Sequence, residues 1–316
     1  MFANRISLAA GLVVLAALAV AEARTPSVAD ANGHYCDRSS APGQSPGTFV
    51  RSLRPGQTGC LRPGVHVAGR DGVTFRRPRV TLRSRGRGPA TLVGRVWVAR
   101  GANKVKIRDL VLDGRNPKDQ ASPNVNANHV VLRDNEITNH HTGICVLLGS
   151  DDYGRASGTV IRHNRIHDCG RLPATNHDHG IYVAFATGTV IARNRIYDNA
   201  DRGIQLYPDA DRTRISDNVI SGNGQGVIFS GSKSHVSENN LVKRNVIKNS
   251  VLRWNVEWHW QGKEVGSGNV VRRNCIFGGA RDEGGGGIRA PYVGFVARDN
   301  RISQSRCSKR YGPNRG

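Results

Sequence analysis

Apolar residues along this chain recur in very short alternating runs and never in long helical stripes. Val130-Val131-Leu132, Val160-Ile161, Val190-Ile191 and Val270-Val271 each stand a few residues before an Asn. Two residues after that Asn comes another apolar side chain, nearly always Ile. The Asn positions are 135, 164, 194, 218, 245, 274 and 300, a mean period of 27.5 residues. Several repeats continue into a Gly-apolar-X-apolar segment. Examples are Gly143-Ile144-Cys145-Val146, Gly180-Ile181-Tyr182-Val183, Gly203-Ile204-Gln205-Leu206 and Gly226-Val227-Ile228-Phe229. Each unit therefore predicts three short β-strands separated by polar turns. No unit holds the helical run that a leucine-rich or βαβ repeat needs.

Three strands of this length cannot bury a face alone. They can if the chain coils and each strand pairs in parallel with its equivalent one turn later, about 4.8 Å along the axis. The recurrent Asn fits, because its amide can donate to and accept from the same residue of adjacent coils. The expected fold is all-β, a parallel β-helix of three-strand coils of about 27 residues.

This pattern resembles the right-handed parallel β-helix superfamily of pectate lyases, polygalacturonases, mannuronan epimerases and a periplasmic copper-centre maturation factor. The resemblance covers roughly residues 48–304. Leu53-Arg54-Pro55-Gly56-Gln57 through Val65-His66-Val67 is similar to a first coil; Val73-Thr74-Phe75 and Val80-Thr81-Leu82 are similar to the next strands. The resemblance implies a right-handed solenoid, with a short helix over Phe49 to Leu53 capping its open N-terminal end, and says little about chemistry, since one fold hosts many activities. The Asp-Pro-His-Asp/Glu signature of mannuronan epimerases is absent; Asn176-His177-Asp178-His179 matches it in part. The polygalacturonase set is not recognisable.

The N-terminus changes the compartment expected. Arg5, an apolar run from Leu8 to Val20, and Ala21-Glu22-Ala23 form a signal peptide over residues 1–23, with cleavage before Arg24. The run is shorter than the roughly 20 residues of a spanning helix, so no membrane association is expected after cleavage. Residues 24–47 then form an N-terminal extension, 48–304 the β-helix and 305–316 a basic tail. Secretion makes disulfides the expected use of the six cysteines. Of fifteen pairings, the sequential set Cys36–Cys60, Cys145–Cys169 and Cys275–Cys307 is favoured. The formal net charge is +22, and residues 51–115 carry fourteen Arg and two Lys against three Asp. Such a field suits a polyanion such as an acidic polysaccharide or wall teichoic acid. Nucleic acid is not expected, because interleaved aromatics for base stacking are missing. The Arg excess is also what a GC-rich genome would produce.

Candidate chemistry concentrates just before the Gly-apolar-X-apolar strand. Successive coils read Asn139-His140-His141-Thr142, Asn176-His177-Asp178-His179, Asn199-Ala200-Asp201-Arg202 and Asn223-Gly224-Gln225. A uronan lyase needs a cation to neutralise the carboxylate, a base for the adjacent C–H proton, and an acid for the leaving oxygen. His177 or His179 is the candidate base, Tyr182 or Tyr207 the acid, and Arg202 the carboxylate partner. Asp178 is added as a catalytic candidate. With Asp201 and Asp209 it supplies the carboxylates that a hydrolase reading requires. His141, Gln205, Asp201, Asp209, Trp258 and Trp260 are the substrate-binding candidates, the two tryptophans as a platform for sugar rings. No cofactor is fixed; Asp209 or Asp211 is where calcium would bind. A third reading lets His141, His177, Asp178 and His179 converge on a transition metal. The leading expectation is a monomeric, secreted polysaccharide lyase acting on an extended, acidic glycan. A non-catalytic glycan or cell-wall-polymer binder, and a glycoside hydrolase or epimerase on the same scaffold, are the alternatives.

Overall fold

The computed structural model describes residues 28–29, 35–86, 88–259, 266–280, 287–289, 295–303 and 307. The chain winds into a parallel β-helix walled by three sheets. The first runs through eleven strands from Arg38–Ser40 to Phe295–Arg298, and the second through ten from Gly64–Val67 to Arg301–Ser303. The third starts at Val73–Phe75 and ends at Ile288–Arg289 among the described residues. From Thr58–Leu61 to Ile288–Arg289 each coil contributes at least one strand to each sheet, and neighbouring coils pair in parallel.

Alternation decides which side chains fill the interior. Leu132, Ile161, Ile191 and Ile215 stack in register in the first sheet, and Ile137, Ile166, Ile196 and Ile220 in the second; all are fully buried. Val183, Leu206, Phe229 and Trp258 form the corresponding inner row of the third. Trp258 is 1% exposed and packs on Phe229 and Phe295, with ring centroids 5.9 and 5.7 Å away. The expected sugar platform is therefore wrong for Trp258. Its register partner Phe229 points inward, so Trp258 does too, and an indole of that size goes to the core. Trp260 lies outside the described residues.

The repeat Asn turns each coil from the first sheet into the second. Asn135, Asn164, Asn194, Asn218, Asn245, Asn274 and Asn300 form one continuous ladder, each Nδ2 donating to the next Oδ1 at 2.9–3.1 Å. Each Oδ1 also accepts the backbone N–H of the Asn before it. The preceding residue, from Asp134 through Arg193 to Asp299, has a left-handed φ of 54–59°. That tight corner leaves strand donors unpaired by backbone, and the amide ladder satisfies them. Two further Asn pairs form equivalent rungs at other corners, Asn240 to Asn269 and Asn199 to Asn223.

The N-terminal end is closed by the helix Pro46–Ser52, whose Ser45 cap accepts from the Thr48 N–H. All three sequential disulfides are present. The expected signal peptide lies outside the described residues, and no helix among those described is long and apolar enough to cross a membrane.

Candidate functional site

The third sheet carries the candidate chemistry on its outer side. Register places Leu147, Tyr182, Gln205, Ile228, Glu257 and Arg289 in one outward row across six coils. At the entry to these strands Arg202 pairs with Gln225, and the Gly180 N–H donates to Arg202 O, which sets His179 one coil before Arg202.

The long insert 170–179 is what brings the histidines here. Cys145–Cys169 fastens its start, and the Cys145 N–H donates to His179 O at its end. Asp201 accepts the backbone N–H groups of Asn176 and Asp178, both at 2.8 Å. Arg202 donates from Nη1 to Asn176 O at 2.7 Å and from Nη2 to Asn176 Oδ1 at 2.5 Å. Within the insert, Asp178 accepts from Arg171 Nε at 2.6 Å and from the Thr175 hydroxyl. Asp178 and Asp201, both buried, are thus occupied in building the insert and not aimed outward. Asn176 does not stack on Asn199, for the same reason: Asn199 bonds to Cys169 and Asn223, and Asn176 sits out on the insert. His179 and Arg202 do stack. Similarly, Leu147 and not Cys145 lies under Tyr182.

His179 is 2% exposed, and its ring meets Tyr182 edge-on with centroids 5.3 Å apart. Burial first, then the charges of Arg202 and His177, hold its imidazole well below the usual histidine range; Gln205 and the Asp178 backbone oppose this weakly. Tyr182 stacks on Tyr207 with centroids 6.4 Å apart. Burial raises the Tyr182 phenol above the ordinary tyrosine value, with Tyr207 adding and Arg202 opposing. The site therefore holds a neutral imidazole, a protonated phenol and a guanidinium on adjacent coils. His177 is exposed at the rim of the insert.

Four residues that sequence reading missed or left unselected complete the corner. Gln225 Nε2 donates to Glu257 Oε2 at 2.5 Å, and Arg289 Nη1 to Glu257 Oε1 at 3.2 Å. His259 Nδ1 is 4.0 Å from the same carboxylate, which is 1% exposed. Glu257 stands one coil beyond Ile228, so extending the X position of the Gly-apolar-X-apolar motif by 29 residues would have found it. Its place among the tryptophans Trp254, Trp258 and Trp260 hid that phase.

Three buried polar atoms at the strand entries have no hydrogen-bond partner: His179 Nδ1, Arg202 Nε and Gln225 Oε1. They sit at equivalent positions of three consecutive coils. A buried unsatisfied group costs about 1–3 kcal/mol, and native proteins retain few without a reason.

The remaining candidates lie elsewhere. Asp209, at the far end of strand Arg202–Asp211, is paired with Arg155 at 2.6 Å. Neighbouring Asp211 is raised above the usual carboxylate range, mainly by burial. His141 braces the insert from below, its Nδ1 3.0 Å from Gly170 O and its Nε2 3.6 Å from Asp168. It does not converge with His177 and His179. Among the described residues no group of three or more His, Cys, Asp or Glu side chains is placed to hold a metal ion.

The family described as right handed beta helix region matches residues 102–256. Among solved structures, pectate lyase Pel9A superposes with a TM-score of 0.60 at 14% identity, covering 88% of this chain and 80% of its own. The A-module of mannuronan C-5 epimerase AlgE4 from Azotobacter vinelandii gives 0.53 at 18% identity, covering 78% of this chain and 67% of the module. The Dettilon tailspike protein gives 0.53 at 13% identity, covering 87% of this chain and 59% of its own. At these identities the likeness is one of fold. No curated protein matches the sequence.

Proposed function

We propose, for a chain whose residues 102–256 match the right handed beta helix region family, that the outer face of its third sheet cleaves an extended acidic polysaccharide by β-elimination. The observation that carries the reading is the stacking of His179 on Arg202 beside the Tyr182–Tyr207 pair. Arg202 neutralises a uronate carboxylate and so acidifies the neighbouring C–H. His177, exposed and without a ring partner among the described residues, removes that proton. The electron pair forms a C=C bond as the glycosidic C–O bond breaks, and the leaving oxygen takes its proton from Tyr182. Burial keeps that phenol protonated for the purpose. His179, neutral and edge-on to the ring, positions Tyr182.

Support for a glycan comes from neighbours named as a pectate lyase and a mannuronan epimerase, and from the charge of +22. Support for an exported enzyme comes from three disulfides and the apolar N-terminal run. The hydrolase alternative loses ground because Asp178, Asp201 and Asp209 are all held in ion pairs or loop hydrogen bonds.

The test is incubation of the mature protein with a panel of polyuronates, followed by ultraviolet absorbance of unsaturated ends and by reducing ends. Both rising together supports elimination. Reducing ends alone indicate hydrolysis, and silence on both with retention on the glycan leaves a binding protein.

A further inference from the structure

The same outward row continues towards the N-terminus through Asn124 to Trp97 and Thr74. Trp97 lies three coils before Tyr182, about 14 Å along the axis at ordinary strand spacing. It is half-buried on the outer side of strand Val96–Val98, and cations bracket it. Arg95 and Arg76 place their guanidinium carbons 5.1 and 6.0 Å from the ring centre. Tyr153, an exposed ring on the loop after Leu148, meets Trp97 edge-on at 5.9 Å. Arg100 lies over the backbone of Gly154, beside that tyrosine.

The arrangement is built and not incidental. Asn126, 1% exposed, accepts from Trp97 Nε1 at 2.8 Å and donates to Gly154 O at 2.9 Å, so one buried amide holds both the indole and the loop that carries Tyr153. Arg95 Nε is buried without a hydrogen-bond partner, and burial lowers that guanidinium from its ordinary value. Among the described residues Arg76, Arg95 and Arg100 have no carboxylate partner. Asp151 and Asp152 stand exposed in the same loop as Tyr153 without an ion pair to any of these three arginines.

Resting on the lyase reading above, we propose that Trp97 and Tyr153, flanked by Arg76, Arg95 and Arg100, form a remote subsite for the same acidic polysaccharide chain. The indole would stack on a sugar face, with the perpendicular Tyr153 ring walling its edge, while the guanidinium groups meet uronate carboxylates. A chain lying along the third sheet would then cross the basic early coils and the Tyr182 corner in one path. The charge excess and the catalytic candidates, far apart in sequence, become two parts of one surface.

Binding is measured by calorimetry on the full disulfide-bonded protein, with long-chain polygalacturonate and alginate, their disaccharides, and a neutral glucan. Tyr153→Ala and Arg76→Ala are at exposed positions and keep the fold; Trp97→Leu is accepted only if its melting temperature matches the parent. The expected result is a fall of about ten-fold in the ratio of long-chain to disaccharide affinity for Trp97→Leu and for Tyr153→Ala. Ratios equal to the parent's overturn the subsite, as does a neutral glucan bound as tightly as the polyuronates, or no polyuronate binding at all. The titration does not read product. A fall in the ratio without any unsaturated product therefore sinks the lyase reading and keeps the subsite.

Discussion

Arg202 grips Asn176 twice, from a position 26 residues further along the chain, through the main-chain oxygen and through Oδ1. One guanidinium thereby fixes the crest of the 170–179 insert to the next coil. Asn176 itself has a left-handed φ of 71°, a conformation that needs such support. The residue proposed to meet the substrate carboxylate also holds the insert that carries His177.

Arg202→Lys tests that double role. Lysine offers a compact charge and cannot span both acceptors in a fork. Loss of these charge-assisted bonds at a buried site is expected to cost roughly 1.5–3 kcal/mol. The insert should become cleavable by trypsin at Arg171 under native conditions, with a lower melting temperature. A variant as resistant as the parent would show that Asn176 is held by Asp201 alone.

The buried imidazole of His179 makes a prediction about pH. In the unfolded chain it titrates near its ordinary value of about 6.5. In the fold it is held well below that, chiefly by burial. Above about pH 6.5 both states are neutral and the residue contributes no pH dependence. Below it the unfolded chain takes up a proton that the folded chain refuses, so stability falls as pH falls, by up to about 1.4 kcal/mol per pH unit. Urea unfolding of the parent and of His179→Gln between about pH 7.5 and pH 5 reads the difference. The parent should lose stability relative to the variant over that interval. Parallel curves would mean that the ring is charged in the folded state.

The Asn ladder predicts where the scaffold breaks. Asn218 donates to Asn245 Oδ1 and Ile191 O, and its own Oδ1 accepts both the backbone and side-chain N–H groups of Asn194. Asn218→Ala strands two buried donors on Asn194. The expected cost is on the order of 3 kcal/mol, seen as an earlier denaturation midpoint with the β signature in circular dichroism retained below it. A shift of a few tenths would make the ladder decorative.

How far the sequence could be read follows the same division between repeat and exception. Asn135 to Asn300 recur in phase because a ladder demands the same residue at the same height, so the coil and its inward Ile rows are written locally and repeatedly. The Cys pairs follow from residues that close one coil onto the next. The site is different because it depends on the insertion 170–179, whose length breaks the phase. Asn176 looks equivalent to Asn199, yet the insert displaces it, and only His179 returns to register with Arg202. Trp258 looked like a surface platform because alternation has no sign until the register with Phe229 is known. Glu257 and Gln225 escaped because nothing local in Gln225-Gly226-Val227 or Val256-Glu257-Trp258 says that the two side chains meet 32 residues apart.

The central claim is tested most directly by the rate of unsaturated product from a polyuronate with the parent protein and with Tyr182→Phe. The substitution removes one hydroxyl and leaves the ring that packs on His179 and Tyr207. Elimination by the parent should fall about 10²–10⁴-fold in the variant, the ordinary worth of a general acid, while polyuronate affinity and melting temperature stay close to the parent's. Equal product formation by the two proteins, or cleavage by the parent that yields reducing ends without unsaturation, would contradict the account.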